Sequence, residues 1–567
     1  MITGQPDAEP GGTDAGGTGT GEARTSGADA RAAVPAGTPP VRSVLSAPPP
    51  PLLRLRLALP AALASGLLLA CAFPPIGLWP LAVVSPALLV LILWGRSLRG
   101  AFTAGLVFGL GFFFLLLTWL VDFAWFAWVA LAIASALIFA VFAVAQRLLL
   151  TLRWWPPAVA GWWVAAEAFR DRWPWGGFPW GRLAMSQAGL PTQGWAAIGG
   201  APLLSLAVAL CGTTLGWALL AALTGEPAAR RRRTIIAAAV LAATASAACL
   251  PAALPLDPVP AGTRTAEIAA IQGDVPRARS VQAQVDDQTV TLNHATATEK
   301  LAGKVAAGTA PRPDLVIWPE NSTSIDPTRY PPVYQEIAAA ASAIGRPILV
   351  GAVLQGPLRN AGVLWLPGQG PAESYLKRQL VPFGEYIPFR SLISKITSLT
   401  QLQPEDFVPG HQTVVFRVGQ IRLGDVICYE VAFDDLVRSE VAAGASVLSV
   451  QSNDATYERD GQTGESGQQL AMARIRAVEF DRAVVVASTT GYSAIIAPGG
   501  RVITSSGIWQ QAELEAAVPL LTGSTPALRA GAWPEWAIVA LTALATALAL
   551  ARAAAARRRP AGPAGGG

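Results

Sequence analysis

Apolar residues run in long blocks through the first half of the chain and once more near its end, with short connections between them. The blocks fall at about 57–73, 78–94, 101–120, 124–149, 156–170, 201–223, 234–254 and 533–551. A hydrocarbon core about 30 Å thick takes about 20 residues of helix. The pattern therefore predicts eight transmembrane helices: a seven-helix bundle over 51–255 and an eighth over 530–552. Between 262 and 518 the pattern changes. Short apolar runs at 266–272, 315–318, 348–353, 414–418, 421–427, 446–450 and 483–488 predict strands, and the stretches 281–307, 331–344, 431–443 and 464–481 predict helices between them. Such alternation is that of an α/β layered domain. Residues 1–50 are Gly, Ala, Thr and Pro with almost no large apolar side chains, and are predicted to be a disordered tail.

Composition agrees with a membrane reading. Of the 567 residues 52% are hydrophobic and 14% charged, against roughly 25% charged in soluble domains. Arginines flank alternate blocks: Arg54 and Arg56, Arg96 and Arg99, Arg147 and Arg153, those at 230–233, and Arg552 with those at 557–559. By the positive-inside rule both termini are expected in the cytoplasm, with a basic cytoplasmic tail at 553–567. The 262–518 domain is then extracytoplasmic on a multi-pass plasma-membrane protein. Arg170 and Arg172 fall outside this pattern and are read as functional or headgroup-facing. The net charge of +5 sits beside apolar blocks, which argues against nucleic acid as a partner. His294 and His411 are the two histidines, and neither has a His or Cys at ligand spacing, so no metal site is expected. No Gly-x-Ser-x-Gly elbow and no Gly-rich phosphate loop is present, and no cofactor is implied.

Of the four cysteines, Cys71, Cys211 and Cys249 lie in or at the edge of apolar blocks, whereas Cys428 ends a strand-like run in the polar region. A lone thiol there is packing or a nucleophile. Two other predicted strand ends carry ionisable groups: Glu320 after 315–318, and Lys377 after Ser374-Tyr-Leu. A base, a cation and a thiol are the parts of a thiol acyl-transfer site. The turn from strand to helix at Cys428 further predicts a thiolate favoured by a helix N-terminus.

Trp318-Pro-Glu-Asn321, Lys377 with Leu380-Val-Pro-Phe-Gly-Glu-Tyr386, and Ile427-Cys-Tyr-Glu430 resemble the Glu, Lys and Cys motifs of the nitrilase superfamily. Phe73-Pro-Pro, Gly176-Gly-Phe-Pro-Trp180, Ile271-Gln-Gly273, Ser452-Asn-Asp454 and Met472-Ala-Arg-Ile-Arg-Ala-Val-Glu479 extend the resemblance, in order, to its membrane-bound branch, the bacterial apolipoprotein N-acyltransferases. The resemblance implies an α-helical membrane bundle carrying a nitrilase-like αββα sandwich. It implies acyl transfer from a phospholipid, through a cysteine thioester, to the N-terminal amine of a diacylated apolipoprotein. Glu320 is then the general base, Lys377 the oxyanion cation and Cys428 the nucleophile. Glu385 and Glu430 are supporting acids that orient Lys377 and position the amine. Tyr429 lies near the lipid and offers its N–H to the oxyanion. The alternative is a membrane-anchored nitrilase-like amidase.

Overall fold

In the computed structural model the described residues are 49–558, apart from 225, 254–255, 257–258, 276–287, 396–403 and 459–461. The predicted tail at 1–50 therefore lies almost wholly outside the described residues, as do the beginning of the predicted 281–307 helix and the last residues of the basic tail.

Helices occupy all eight predicted places: α1 (Leu55–Ala70), α2 (Leu81–Leu93), α3 (Leu98–Leu116), α4 (Leu120–Leu149), α5 (Trp155–Arg170), α6 (Trp195–Leu223), α7 (Pro227–Cys249) and, at the far end, α12 (Trp533–Arg558). Among the described residues, five helical segments are long and apolar enough to cross a membrane: Leu98–Leu116, Leu120–Leu149, Pro191–Leu223, Ala229–Ala253 and Trp533–Ala555. The other three are shorter. α1 and α5 have 16 residues each and α2 has 13, and α5 carries Glu167 and Arg170. Small residues set the bundle spacing. A Cβ on Gly66 of α1 would lie 2.1 Å from the Phe108 carbonyl oxygen of α3, so only glycine allows that approach. Where apolar drive between helices is weak, polar contacts add to packing: Ser85 donates to the Ser65 carbonyl at 2.6 Å between α2 and α1.

Among the described residues, the polar region contains twelve strands in two six-stranded sheets. The first has the order β12-β1-β2-β3-β4-β5, the second β11-β10-β9-β8-β7-β6. They comprise β1 (Thr265–Gln272), β2 (Leu315–Ile317), β3 (Ile348–Leu354), β4 (Arg359–Leu366), β5 (Gly370–Leu376), β6 (Val415–Val418), β7 (Ile421–Ile427), β8 (Val447–Ser452), β9 (Ala483–Ser488), β10 (Ala494–Ile496), β11 (Val502–Ser505) and β12 (Ala512–Pro519). The β1–β2–β3 and β7–β8–β9 pairings are parallel and the outer ones antiparallel.

Period-two alternation assigns the faces. Ala266, Ile268 and Ala270 of β1 meet Leu423 and Ile427 of β7 between the sheets. Ala269 and Ile271 point the other way, with helices α8 (Gln288–Ala306) and α9 (Pro331–Ile344). On the second sheet, Val426, Val450 and Val484 pack with Met472 and Ile475 of α11 (Gly464–Phe480), and α10 (Asp434–Ala442) lies beside it. The layers are thus helix, sheet, sheet, helix. The outer face of α11 does not meet solvent, because its apolar cluster is continuous with that of the bundle.

Charged side chains tie the domain to the bundle. Arg182, from the loop after α5, donates to Asp434 at 2.8 Å and lies 3.4 Å from Asp171; Arg476 of α11 reaches the same Asp434 at 2.5 Å. The two arginines are buried, and their charges hold the Asp434 carboxyl below the usual carboxylate range against the opposing effect of burial. Arg172, one of the two off-pattern arginines, pairs with Glu535 and lies over the Trp536 ring of α12; Arg170 is buried over Phe113 of α3. Both serve contacts inside the protein. Removing one partner of a buried charge group leaves the others uncompensated, typically at about 3–5 kcal/mol. Asp434→Ala should accordingly lower the thermal midpoint of the detergent-solubilised protein by several degrees. A midpoint equal to that of the exposed-site control Glu373→Ala would show that the cluster does not hold the layers together.

Candidate active site

The strand ends converge as the motifs require. Glu320 follows β2, Lys377 follows β5 and Cys428 follows β7, and all three side chains are buried. Lys377 Nζ donates to Glu320 Oε1 at 2.8 Å and to Glu385 Oε1 at 3.0 Å. Asn360, on β4, donates its amide to the same two oxygens at 2.6 and 2.9 Å. The other Glu320 oxygen accepts the Asn453 backbone N–H at 3.0 Å, and Glu385 Oε2 accepts that of Val381 at 2.7 Å. The cation, two carboxylates and an amide therefore form one closed network, which is what a buried charge requires.

Cys428 has φ +53°, the left-handed region that a non-glycine residue rarely adopts. Strand β7 ends at Ile427, and the chain enters a single 3-10 turn, Cys428–Ala432. Glu430 holds that turn. Its carboxylate is fully buried and accepts the N–H groups of Ile427 at 2.7 Å, Arg378 at 2.6 Å and Gln379 at 3.0 Å, with the Tyr375 hydroxyl at 2.9 Å. Glu385 therefore meets Lys377 as expected, whereas Glu430 has a different set of contacts: it joins the Lys377 segment to the Cys428 turn.

Tyr429 turns toward the bundle. Its hydroxyl donates to the Gly177 carbonyl at 2.8 Å, and its ring stacks near Phe178 and Trp180. The Gly176-Gly-Phe-Pro-Trp180 stretch of the α5–α6 connection thus forms a wall beside the cysteine turn. At the rim Trp175 meets Phe383 edge-on, their ring centroids 5.8 Å apart.

The electrostatics revise the expected thiolate. Burial, followed by the charge of Glu320, pushes the Cys428 thiol well above its ordinary range, and Lys377 only partly opposes this. A single 3-10 turn has no macrodipole comparable with that of a long helix, so desolvation wins and the resting sulfur is a thiol. Burial, with Glu385 adding to it, raises the Glu320 carboxyl despite Lys377 and Asn360, which makes it a stronger base than a solvated glutamate. Burial disfavours the Lys377 ammonium, yet Glu320 and Glu385 outweigh it and hold the lysine charged. Asn360 escaped notice in the sequence because its strand did; Gln469, whose amide donates to Cys428 Sγ at 3.4 Å, lies in a helix with no motif signal of its own.

Residues 65–214 match the family model described as the apolipoprotein N-acyltransferase N-terminal domain, and residues 268–525 match the carbon-nitrogen hydrolase model. The apolipoprotein N-acyltransferase of Mycolicibacterium smegmatis is 38% identical over 498 residues, which cover 83% of this chain and 82% of that protein. This chain belongs to the apolipoprotein N-acyltransferase family. The family member from Azotobacter vinelandii is 31% identical over 546 residues, covering 89% of this chain and 96% of its own length. Among solved structures, an amidase from Nesterenkonia sp. AN1 shares 20% identity across 45% of this chain and 94% of its own, with a TM-score of 0.33.

A thiol whose ionisation is opposed by a neighbouring carboxylate should titrate lower once that charge is removed. In far-ultraviolet thiolate titration against a Cys428→Ser reference, the midpoint of the unaltered protein is expected well above that of an ordinary thiol. It should move down in Glu320→Gln, even though that variant loses its base and its turnover. A midpoint unmoved by Glu320→Gln would contradict the electrostatic account.

Proposed function

We propose that this chain transfers an acyl group from a phospholipid to the N-terminal amine of a diacylated apolipoprotein, with Glu320, Lys377 and Cys428 as the catalytic residues. The observation that carries this reading is the meeting of a thiol turn, a Lys–Glu pair and a wall supplied by the membrane bundle. A hydrolase acting on a soluble amide has no need of that wall. In the proposed arrangement the bundle has eight spans, residues 262–518 form the catalytic domain outside the plasma membrane, and both termini are cytoplasmic. The three short helices then cross with the help of their neighbours and interfacial residues.

The reaction runs in two halves through one site, a ping-pong scheme. In the first, Glu320 takes the Cys428 proton as Sγ attacks the phospholipid ester carbonyl. The Lys377 ammonium and the Tyr429 N–H stabilise the oxyanion. Collapse breaks the ester C–O bond, the leaving alkoxide takes the proton from Glu320, and lysophospholipid departs from a thioester. In the second, the neutral amine attacks the thioester and gives its proton to Glu320. The C–S bond breaks, and sulfur recovers the proton. Because the resting sulfur is a thiol, both halves depend on Glu320 moving a proton in step with bond formation. Glu385 and Asn360 hold Lys377 and Glu320 in register, and Glu430 acts by clamping the backbone.

In cells depending on a Cys428→Ala variant, lipoproteins should carry free N-termini, read by mass spectrometry of the lipidated N-terminal peptide. Fully N-acylated lipoprotein in that background would defeat the proposal. Steady release of free fatty acid from phospholipid by the purified protein, without acceptor, would point instead to the amidase-type hydrolase.

A further inference from the structure

The site described above leaves one charge poorly provided for. When Cys428 loses its proton, the negative charge falls on a buried sulfur close to Glu320, with Asp454 adding to the repulsion. Lys377 is already committed to two carboxylates. Among the described residues, one side chain makes a hydrogen bond to the sulfur itself: Gln469 Nε2 donates to Sγ at 3.4 Å.

The orientation of that amide is built. Glu465 Oε1 marks the NH2 end of the group by accepting from it, and on the acceptor side the Ser452 hydroxyl, which lies 2.6 Å from Asp454 Oδ1, is 3.0 Å from Gln469 Oε1, so the NH2 points toward the sulfur. The second N–H goes to Glu465 Oε1, one helical turn earlier on α11. Ser452 is the last residue of β8, the strand next to β7 in the sheet, so the support stands on a rigid element adjoining the nucleophile's own. Gln469, Glu465 and Ser452 are all buried, and water does not compete for these bonds. Burial, with Asp454 adding to it, keeps the Glu465 carboxyl protonated well above the usual range, which removes one negative charge from behind the thiol.

We propose that Gln469 is a further catalytic residue of the acyl-transfer site, its amide N–H stabilising the Cys428 thiolate as it forms. The bond is a weak contact to a neutral thiol in the resting protein. It becomes charge-assisted when the proton passes from Sγ to Glu320 and the electron pair stays on sulfur, and it weakens again once sulfur forms its C–S bond. A donor that binds the charged state better than the neutral one lowers the barrier both to attack by sulfur and to its departure in the second half. Ser452 and Glu465 are positioning residues that act through Gln469. The role rests on the thiol chemistry proposed for Cys428, yet its direct readout needs no acyl donor.

Gln469→Met keeps the length of the side chain and removes the donor. Thiolate titration of this variant should give a midpoint about one unit or more above that of the unaltered protein, and acyl-enzyme formation from phospholipid should slow by about tenfold to a hundredfold. Ser452→Ala frees the amide to rotate and should shift both quantities in the same direction by less, giving a second measurement should Gln469→Met fail to fold. A folded Gln469→Met protein with an unchanged thiolate midpoint would overturn the assignment; in its absence an unchanged midpoint in Ser452→Ala would do so. If the midpoint shifts but no acyl-enzyme forms in any version of the protein, the donor role to sulfur stands and the phospholipid reading fails.

Discussion

The geometry of the site depends on the buried carboxylate of Glu430. One of its oxygens accepts the two N–H groups that follow Lys377, and the other accepts from Tyr375 of β5 and from Ile427 at the end of β7. Strand β5 belongs to one sheet and β7 to the other. One side chain therefore fixes the distance between the cation and the thiol, which otherwise stand on elements with no strand pairing between them. It also spans the strained step at Cys428, where φ is +53°. Such a conformation persists only when surrounding contacts over-determine it, and the carboxylate supplies them on both sides of the turn.

Around that clamp the electrostatics follow from the exclusion of water. Desolvation works against every charged form in the site, and only groups with several partners overcome it. Lys377 has two carboxylates and stays charged; Cys428 has a distant cation and a weak donor and stays protonated. The site is thus poised with its charge on the base and the cation, and its nucleophile is stored neutral. This arrangement protects a thiol that must meet reactive esters yet must not oxidise in the meantime.

Much of this was legible in the sequence, for identifiable reasons. Glu320 and Cys428 follow short apolar strands whose ends the pattern marks, Lys377 is marked by the motif around it, and the α/β alternation survives because the inner strands are buried on both faces. Strands β4, β5, β10, β11 and β12 were not legible. β5 reads Gly-Pro-Ala-Glu-Ser-Tyr-Leu and β11 is half exposed; both are edge strands, whose polar faces erase the signal. The eight apolar helices were legible in position, whereas the shortness of α2 and the polar residues of α5 blur what counts as a span. The expectation of a thiolate failed because sequence shows a turn after Cys428 but not its length or its depth. Asn360 and Gln469 were invisible as site residues, since an amide acquires meaning only from what the fold brings within about 3 Å of it.

Helix α11 has a consequence for how such a protein can change over time. Its inner face completes the second sheet, and its outer face is continuous with the packing of the membrane helices. A cut at the boundary keeps the four layers of the sandwich but bares the outer face of α11, which packs on the bundle. Duplication, recombination or engineering that treats residues 262–518 as a portable module would take Arg182 away from Asp434 and the Gly177 carbonyl away from Tyr429. A substitution on either side of this contact therefore acts on both parts at once.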